Sequence, residues 1–174
     1  MIMGYKNSGC NHILSTTRIS NTTCIINRKN LYLTDNIFIG HYNFIEASNG
    51  IKIGEGCQIT NYISLLSHSS HISIRLYGKQ YTQQKSHIGY VTGSVEIGAY
   101  TFIGPHSTIM PGTSIGKGSI VRAYSMVKGN FPDFAIISGN PAVITGDTRD
   151  IDKKFLDENP MLRGFYNQWA HDNE

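Results

Sequence analysis

Residues 95–127 read VEIGAYTFIGPHSTIMPGTSIGKGSIVRAYSMV. Stepping by six from Ile97 reaches Ile103, Ile109, Ile115, Val121 and Val127 without a miss. Two residues before each stand Val95, Thr101, Ser107, Thr113, Ser119 and Ser125, all small or β-branched. In an extended segment residues i and i−2 point to one side, so each hexad sends one aliphatic and one smaller side chain inward. Gly98, Gly104 and Gly116 follow three of the aliphatic residues and are expected to supply the backbone freedom of a turn. A helix would need a period near 3.6, which a strict six does not give. Three hexads close a triangular coil of about eighteen residues, and stacked coils make a prism with an aliphatic interior.

The period extends outward from this stretch. Ile53, Ile59 and Leu65 are six apart, with Ile51, Cys57 and Ile63 at i−2. Ile39 and Ile45 fit a frame displaced by two, which places a short insertion near Glu46–Lys52. Ile13, Ile19, Ile25, Leu31 and Ile37 are also six apart and read as earlier coils with less regular i−2 partners. Between Leu66 and Thr92 the period fails over a span too long for a turn, which predicts a loop excursion over about 66–94. After Val127 the repeat gives way to Gly129-Asn130-Phe131-Pro132, and beyond it Ile151, Phe155, Leu156, Leu162, Phe165 and Trp169 take helical spacing. Asn159-Pro160 reads as a helix start. The expected organisation is an all-β prism over 1–145 and a helical tail over 146–174, packed on the prism end or on a neighbouring subunit.

Composition narrows the function. The chain has 174 residues, 40% apolar and 16% charged, with 18 glycines and a net charge of +3. No run of lysines and arginines exists, so nucleic acid is not an expected partner. No apolar run approaches the roughly 18 residues of a membrane span, and residues 1–12 lack a signal-peptide core. Three cysteines, Cys10, Cys24 and Cys57, with no CxxC pair, read as reduced thiols in the cytoplasm.

Three stretches carry a family resemblance: IGEGCQITNYISLLSHSSH (53–71), IGAYTFIGPHSTIMPGTSIGKGSIV (97–121) and SMVKGNFPDFAIISGNPAVI (125–144). They resemble the hexapeptide acyltransferases of the maltose, galactoside and O-antigen acetyltransferase group. That resemblance, not the period, implies a left-handed coil, since parallel crossovers are ordinarily right-handed. It also implies acetyl-CoA as acyl donor, a sugar or glycan-precursor hydroxyl as acceptor, a homotrimer, and a histidine general base where the loop leaves the prism. An alcohol is a weak nucleophile toward a thioester, so an imidazole titrating near neutrality suits the task. Two histidines compete. His71 lies 18 residues beyond Ile53, the spacing the family resemblance favours, and His68 lies 15 beyond it.

For the donor, the resemblance implies Phe102 where relatives carry Trp, Pro105 beside His106 on a coil, and Ala123 and Ser125 in Arg122-Ala123-Tyr124-Ser125, where relatives have Gly-Ala-Gly-Ser. The flanking glycines are replaced here. Gly139-Asn140-Pro141-Ala142 matches the closing Gly-x-Pro-Ala loop, but Val143 and Gly146 stand where relatives place basic residues, leaving Lys128, Lys117 or Arg149 for the phosphates. For the acceptor, Asn43 resembles an asparagine of the galactoside enzymes, a turn role being the other reading. Arg75 and Tyr77 in the excursion could meet an anionic group and a sugar ring, or simply pack the loop. The competing functions are N-acetylation of an amino sugar or other small acceptor, a zinc enzyme of the γ-carbonic-anhydrase type using His68, His71, His87 and His106, and a scaffold solenoid without chemistry. No zinc-ligand spacing is visible in those histidines, and no metal is expected.

Overall fold

The computed structural model describes residues 1–171; the last three positions of the expected tail lie outside the described residues. Three parallel sheets wrap a prism. Among the described residues the chain winds through five coils. The first contains strands Leu14–Ile19, Cys24–Ile26 and Leu31–Leu33, and the second Phe38–Ile39, Phe44–Glu46 and Ile51–Ile53. The third contains Gln58–Ile59, Ser64–Leu66 and, after the excursion, Val95–Ile97. Phe102–Ile103, Thr108–Ile109 and Ser114–Ile115 make the fourth, and Ile120–Val121, Met126–Val127 and Asn130–Phe131 the fifth.

Register stacks like on like. Ile39, Ile59, Ile103, Val121 and Ile137 form one ladder, and Ile45, Leu65, Ile109 and Val127 another. Ile39, Ile59, Ile103 and Ile109 are fully buried, as the six-residue step requires. The i−2 side chains do more than fill space. Thr101 Oγ1 donates to the Gly116 carbonyl at 3.0 Å, Ser107 Oγ to Arg122 at 3.1 Å, and Thr113 Oγ1 to Met110 at 2.7 Å. Each hydroxyl satisfies a turn carbonyl that the short strands leave unpaired, and among the described residues no buried side-chain polar atom lacks a partner.

Two sequence expectations are corrected. The glycines after the aliphatic positions are not the turn's left-handed residues. A Cβ on Gly104 would sit 2.6 Å from the Ala123 nitrogen, so glycine is needed there for close approach of the next coil. Left-handed backbone falls two residues later, at Tyr100, His106, Gly118 and Tyr124 (φ 57°, 59°, 65° and 60°). At one edge of the prism four side chains in this left-handed conformation form a ring ladder. Tyr42, Tyr62, His106 and Tyr124 stack with centroids 5.2, 4.8 and 4.9 Å apart, which offsets strain in a conformation that side chains disfavour. The N-terminal frame is also displaced. A 3-10 turn at Arg28–Asn30 inserts two residues, so Leu31 and Ile37 occupy i−2 slots and Leu33 and Ile39 the main ones, while Ile13 is exposed.

Both ends of the solenoid are closed. Ile2–Tyr5 pairs antiparallel with Leu14–Ile19, and the Asn7 side chain bonds both the carbonyl and the N–H of Leu33 (2.7 and 2.9 Å), blunting an open sheet edge. At the other end Ala135–Gly139 and Ala142–Asp147 form a hairpin on the fifth coil. Helices α2 (Thr148–Glu158) and α3 (Arg163–Ala170) follow, preceded in the excursion by the short α1 (Ser73–Tyr77). Asp147 caps α2 through the Arg149 N–H at 2.9 Å, and Asn159-Pro160 opens the 3-10 turn leading into α3. Trp169 packs on Tyr100 (4.6 Å) and Phe134 (5.9 Å), docking the tail on a prism edge, yet Phe155 and Phe165 of its apolar face stay exposed.

Candidate active site

The excursion replaces the turn that would join Leu66 to Val95. Its neck is a two-residue antiparallel pair, His68 opposite Thr92 and Ser69 opposite Val91. The neck is bound to the coil below. Ser67 N–H donates to the Glu46 carbonyl at 3.1 Å, and Asn49 contacts Ser67 through its N–H and its amide (2.9 and 3.1 Å). These ties give His68 a fixed place on the prism.

The decisive side chain is Glu46. Strand alternation points it outward after the buried Ile45, but the neck covers it and leaves it 4% exposed. Its carboxylate accepts the Ser48 N–H at Oε1 (2.9 Å) and the Ser67 hydroxyl at Oε2 (2.8 Å), and Oε2 lies 2.6 Å from His68 Nδ1. Burial alone would raise the Glu46 carboxyl above its ordinary value. The hydrogen bonds from Ser48, Ser67 and His68 outweigh burial and hold it below that value. An ionised carboxylate only accepts, so His68 Nδ1 is the donor and, in the neutral ring, Nε2 carries the lone pair. The His68 side chain is 31% exposed, so the ring is not sealed inside the prism. Tyr90 stacks on the ring at 5.3 Å with 17° between planes.

His71 stands differently. It is exposed at the entry to α1, its Nδ1 meets the Ser69 hydroxyl at 2.8 Å, and its carbonyl receives the Arg75 guanidinium. Among the described residues no carboxylate bonds its ring. The structure therefore gives the orienting partner to His68 rather than to the histidine favoured by spacing. Glu46 was not singled out in the sequence because the pair spans two coils. Glu46 stands beside Leu66 in register, two residues before His68, and only the coil-to-coil register reveals it.

The remaining expected residues fall into separate groups. Pro105 and Ala123 come together on one edge, where Tyr124 N–H donates to the Pro105 carbonyl at 3.0 Å. Phe102 is 41% exposed on the strand before them. Ser125 is turned inward, its hydroxyl donating to the Arg122 carbonyl at 2.6 Å and accepting from Gly139 N–H at 3.2 Å, so its side chain is committed to the prism. Lys128 is exposed beyond the far end of Met126–Val127. Asn43 is buried and spends its amide on the Thr60 carbonyl and the Ile63 N–H, both at 2.8 Å, which is the turn role. Arg75 holds the His71 carbonyl, and the Tyr77 hydroxyl accepts the Ile88 N–H at 2.9 Å, so both brace the excursion. A hollow of about 430 Å³ between Tyr100 and the C-terminal helices is lined by Phe155, Phe165 and Trp169 and contains no imidazole. Among the described residues no group of three His, Cys, Asp or Glu side chains gathers as a metal site, and no helix is long and apolar enough to cross a membrane.

Residues 94–129 match the family described as bacterial transferase hexapeptide (six repeats). The Escherichia coli K12 protein WbbJ, named for lipopolysaccharide-biosynthesis O-acetyl transfer, is 28% identical over 116 residues, covering 66% of this chain and 59% of its own length. The chain spans between 30% and 59% of the first curated relatives it matches. Among solved structures, a maltose O-acetyltransferase from Clostridium difficile 630 superposes with a TM-score of 0.65 at 19% identity, over 75% of this chain and 66% of that one. AntD, an N-acyltransferase from Bacillus cereus solved with dTDP and 3-hydroxybutyryl-CoA, gives 0.58 at 23% identity, over 86% and 88%. These likenesses carry the fold, including the left-handed coil that the period alone leaves open. Repeat, three-sided coil and relatives together make this chain similar to the hexapeptide-repeat acyltransferases.

Proposed function

We propose that the protein moves an acetyl group from acetyl-CoA to a hydroxyl of a sugar or glycan precursor, with His68 as general base and Glu46 as its orienting carboxylate. The single observation carrying this reading is the 2.6 Å bond from His68 Nδ1 to a buried, ionised Glu46, which leaves Nε2 as the proton acceptor. In the reaction, Nε2 takes the acceptor hydroxyl proton as the oxygen attacks the thioester carbonyl carbon. A C–O bond forms, the tetrahedral intermediate collapses, the C–S bond breaks, and the CoA thiolate leaves with the proton held by the imidazolium. Glu46 fixes the tautomer and stabilises the transient imidazolium without itself taking the proton. No metal and no covalent enzyme intermediate is needed.

On this reading the donor runs along the edge carrying Phe102, Pro105 and Ala123, with Lys128 toward its phosphates and Ser125 contributing backbone rather than hydroxyl. Arg75 and Tyr77 shape the acceptor side through the excursion. His71, bound to Ser69, supports the neck. The resemblance to the hexapeptide acyltransferases supports a homotrimer, in which a neighbouring prism would supply a second wall beside the partly exposed His68. The setting is the cytoplasm, where acetyl-CoA and sugar precursors meet.

A free-thiol release assay with acetyl-CoA against sugars, sugar nucleotides and amino sugars tests the proposal. Release with a hydroxyl acceptor, lost by roughly 10²–10⁴-fold in His68→Ala, is the expected result. Faster release with amino sugars transfers the reading to N-acetylation. Absence of release with every acceptor removes it.

A further inference from the structure

We infer that Tyr90 is a positioning residue that sets the plane of the His68 ring; its kinetic consequence rests on the acyl-transfer reading, whereas its structural consequence does not. A single hydrogen bond at Nδ1 holds one atom of the imidazole but leaves the ring free to rock about that contact. Tyr90 removes the freedom by covering one face, at a centroid distance of 5.3 Å and 17° between planes, within the range of a favourable aromatic pair.

Tyr90 reaches this position from the return limb of the excursion. Val91 pairs with Ser69 across the neck, and Tyr90 N–H donates to the His87 carbonyl at 3.3 Å, which fixes the backbone from which the ring projects. The rings behind it form a chain. His87 lies 6.3 Å from Tyr90, stacks on Tyr81 at 4.0 Å and meets Tyr77 edge-on at 5.3 Å. His87 Nε2 is itself held at 2.7 Å from the Tyr81 carbonyl. The excursion thus carries a run of half-buried and exposed aromatic rings, and the last of them lies on the histidine that Glu46 orients. Among the described residues the Tyr90 hydroxyl makes no hydrogen bond, so the ring face and not the phenol does the positioning.

The test compares Tyr90→Phe, Tyr90→Leu and Tyr90→Ala in the full chain. In NMR spectra the His68 ring protons should carry a ring-current displacement from Tyr90. It should persist in Tyr90→Phe and disappear in both Tyr90→Leu and Tyr90→Ala. In turnover, Tyr90→Ala should lower kcat by roughly three- to tenfold with the acceptor KM unchanged, while Tyr90→Phe stays within about twofold of the parent. Unmoved His68 resonances in Tyr90→Leu and Tyr90→Ala overturn the inference, since the stack would then be absent in solution. A Tyr90→Phe as impaired as Tyr90→Ala assigns the role to the hydroxyl, and a raised acceptor KM with intact kcat makes Tyr90 a substrate contact; either result also overturns it. If the parent transfers no acetyl group, the acyl-transfer reading fails while the resonances alone decide on Tyr90.

Discussion

Glu46 and His68 meet at 2.6 Å across two successive coils because Glu46 stands in register with Leu66, and the neck turns back over it within two residues. The carboxylate is buried, so its charge acts through little water and specifies which imidazole nitrogen keeps its proton. Replacing Glu46 by Gln keeps shape but removes the requirement that Nδ1 donate. Glu46→Gln should therefore lower kcat by roughly 10²–10⁴-fold, the upper end being the loss of a fully tautomer-fixing carboxylate, and leave the acetyl-CoA dissociation constant unchanged. Steady-state kinetics with calorimetry checks both parts. Unchanged kcat would make the pair structural only.

The same carboxylate ties stability to pH. Its folded-state pKa lies below the ordinary glutamate value, so the unfolded chain binds more protons as pH falls through that range. Its contribution is complete above the unfolded-state value and is lost as pH falls through the lower folded-state one. The melting temperature of the parent should fall toward acid more steeply than that of Glu46→Gln, with the two converging below the ordinary glutamate range. Thermal denaturation from pH 7 to about pH 3 measures it. Parallel profiles would show that Glu46 gains nothing on folding.

The prism was legible because a period of six over residues 95–127 has one extended-chain reading, and Ile97, Ile103 and Ile109 lie inward as that reading requires. The N-terminal frame was not, because the insertion at Arg28–Asn30 is two residues long and both inward slots there are aliphatic. Leu31 and Leu33 are equally buried, as are Ile37 and Ile39, so a six-residue step lands on hydrophobic residues in either frame. The excursion and its histidines were visible as a break in the period. Glu46 was not, since its contact depends on which coil lies beneath the neck. The inward turn of Asn43 and Ser125 depends on turn carbonyls and N–H groups that no residue pattern displays.

The corrected frame is testable by stability. Leu33 is 1% exposed and Ile13 is 57% exposed. Leu33→Ala should destabilise by about 2–5 kcal/mol through the cavity it leaves, whereas Ile13→Ala should stay within about 0.5 kcal/mol of the parent. Chemical denaturation of the two variants separates the frames, and the reverse ranking would restore the uninterrupted six-residue step from Ile13.

Donor placement is tested at Ala123. It is exposed on the fifth coil, beside Pro105 of the coil below, so a large side chain there projects from the edge without entering the core. Ala123→Trp should leave the melting temperature unchanged and weaken acetyl-CoA binding by roughly tenfold or more, about 1.4 kcal/mol per decade. Unaltered affinity in calorimetry would move the donor to another face.

The ranking of the two histidines is the sharpest test of the site. His68 has a buried carboxylate on Nδ1, whereas His71 has a serine hydroxyl and lies exposed at the entry to α1. If His68 removes the acceptor proton, His68→Ala should lower kcat by roughly 10²–10⁴-fold while acetyl-CoA still binds, because the base meets the reacting hydroxyl rather than the nucleotide. His71→Ala should cost less than about tenfold, through the neck geometry that Ser69 and Arg75 share with it. In the parent, kcat/KM should rise with pH along an acid limb reporting deprotonation of the base, and that limb should vanish in His68→Ala and persist in His71→Ala. The opposite ranking would return the base to His71 and leave Glu46 holding a structural histidine. Near-parental turnover in both variants and in their double would exclude an imidazole base.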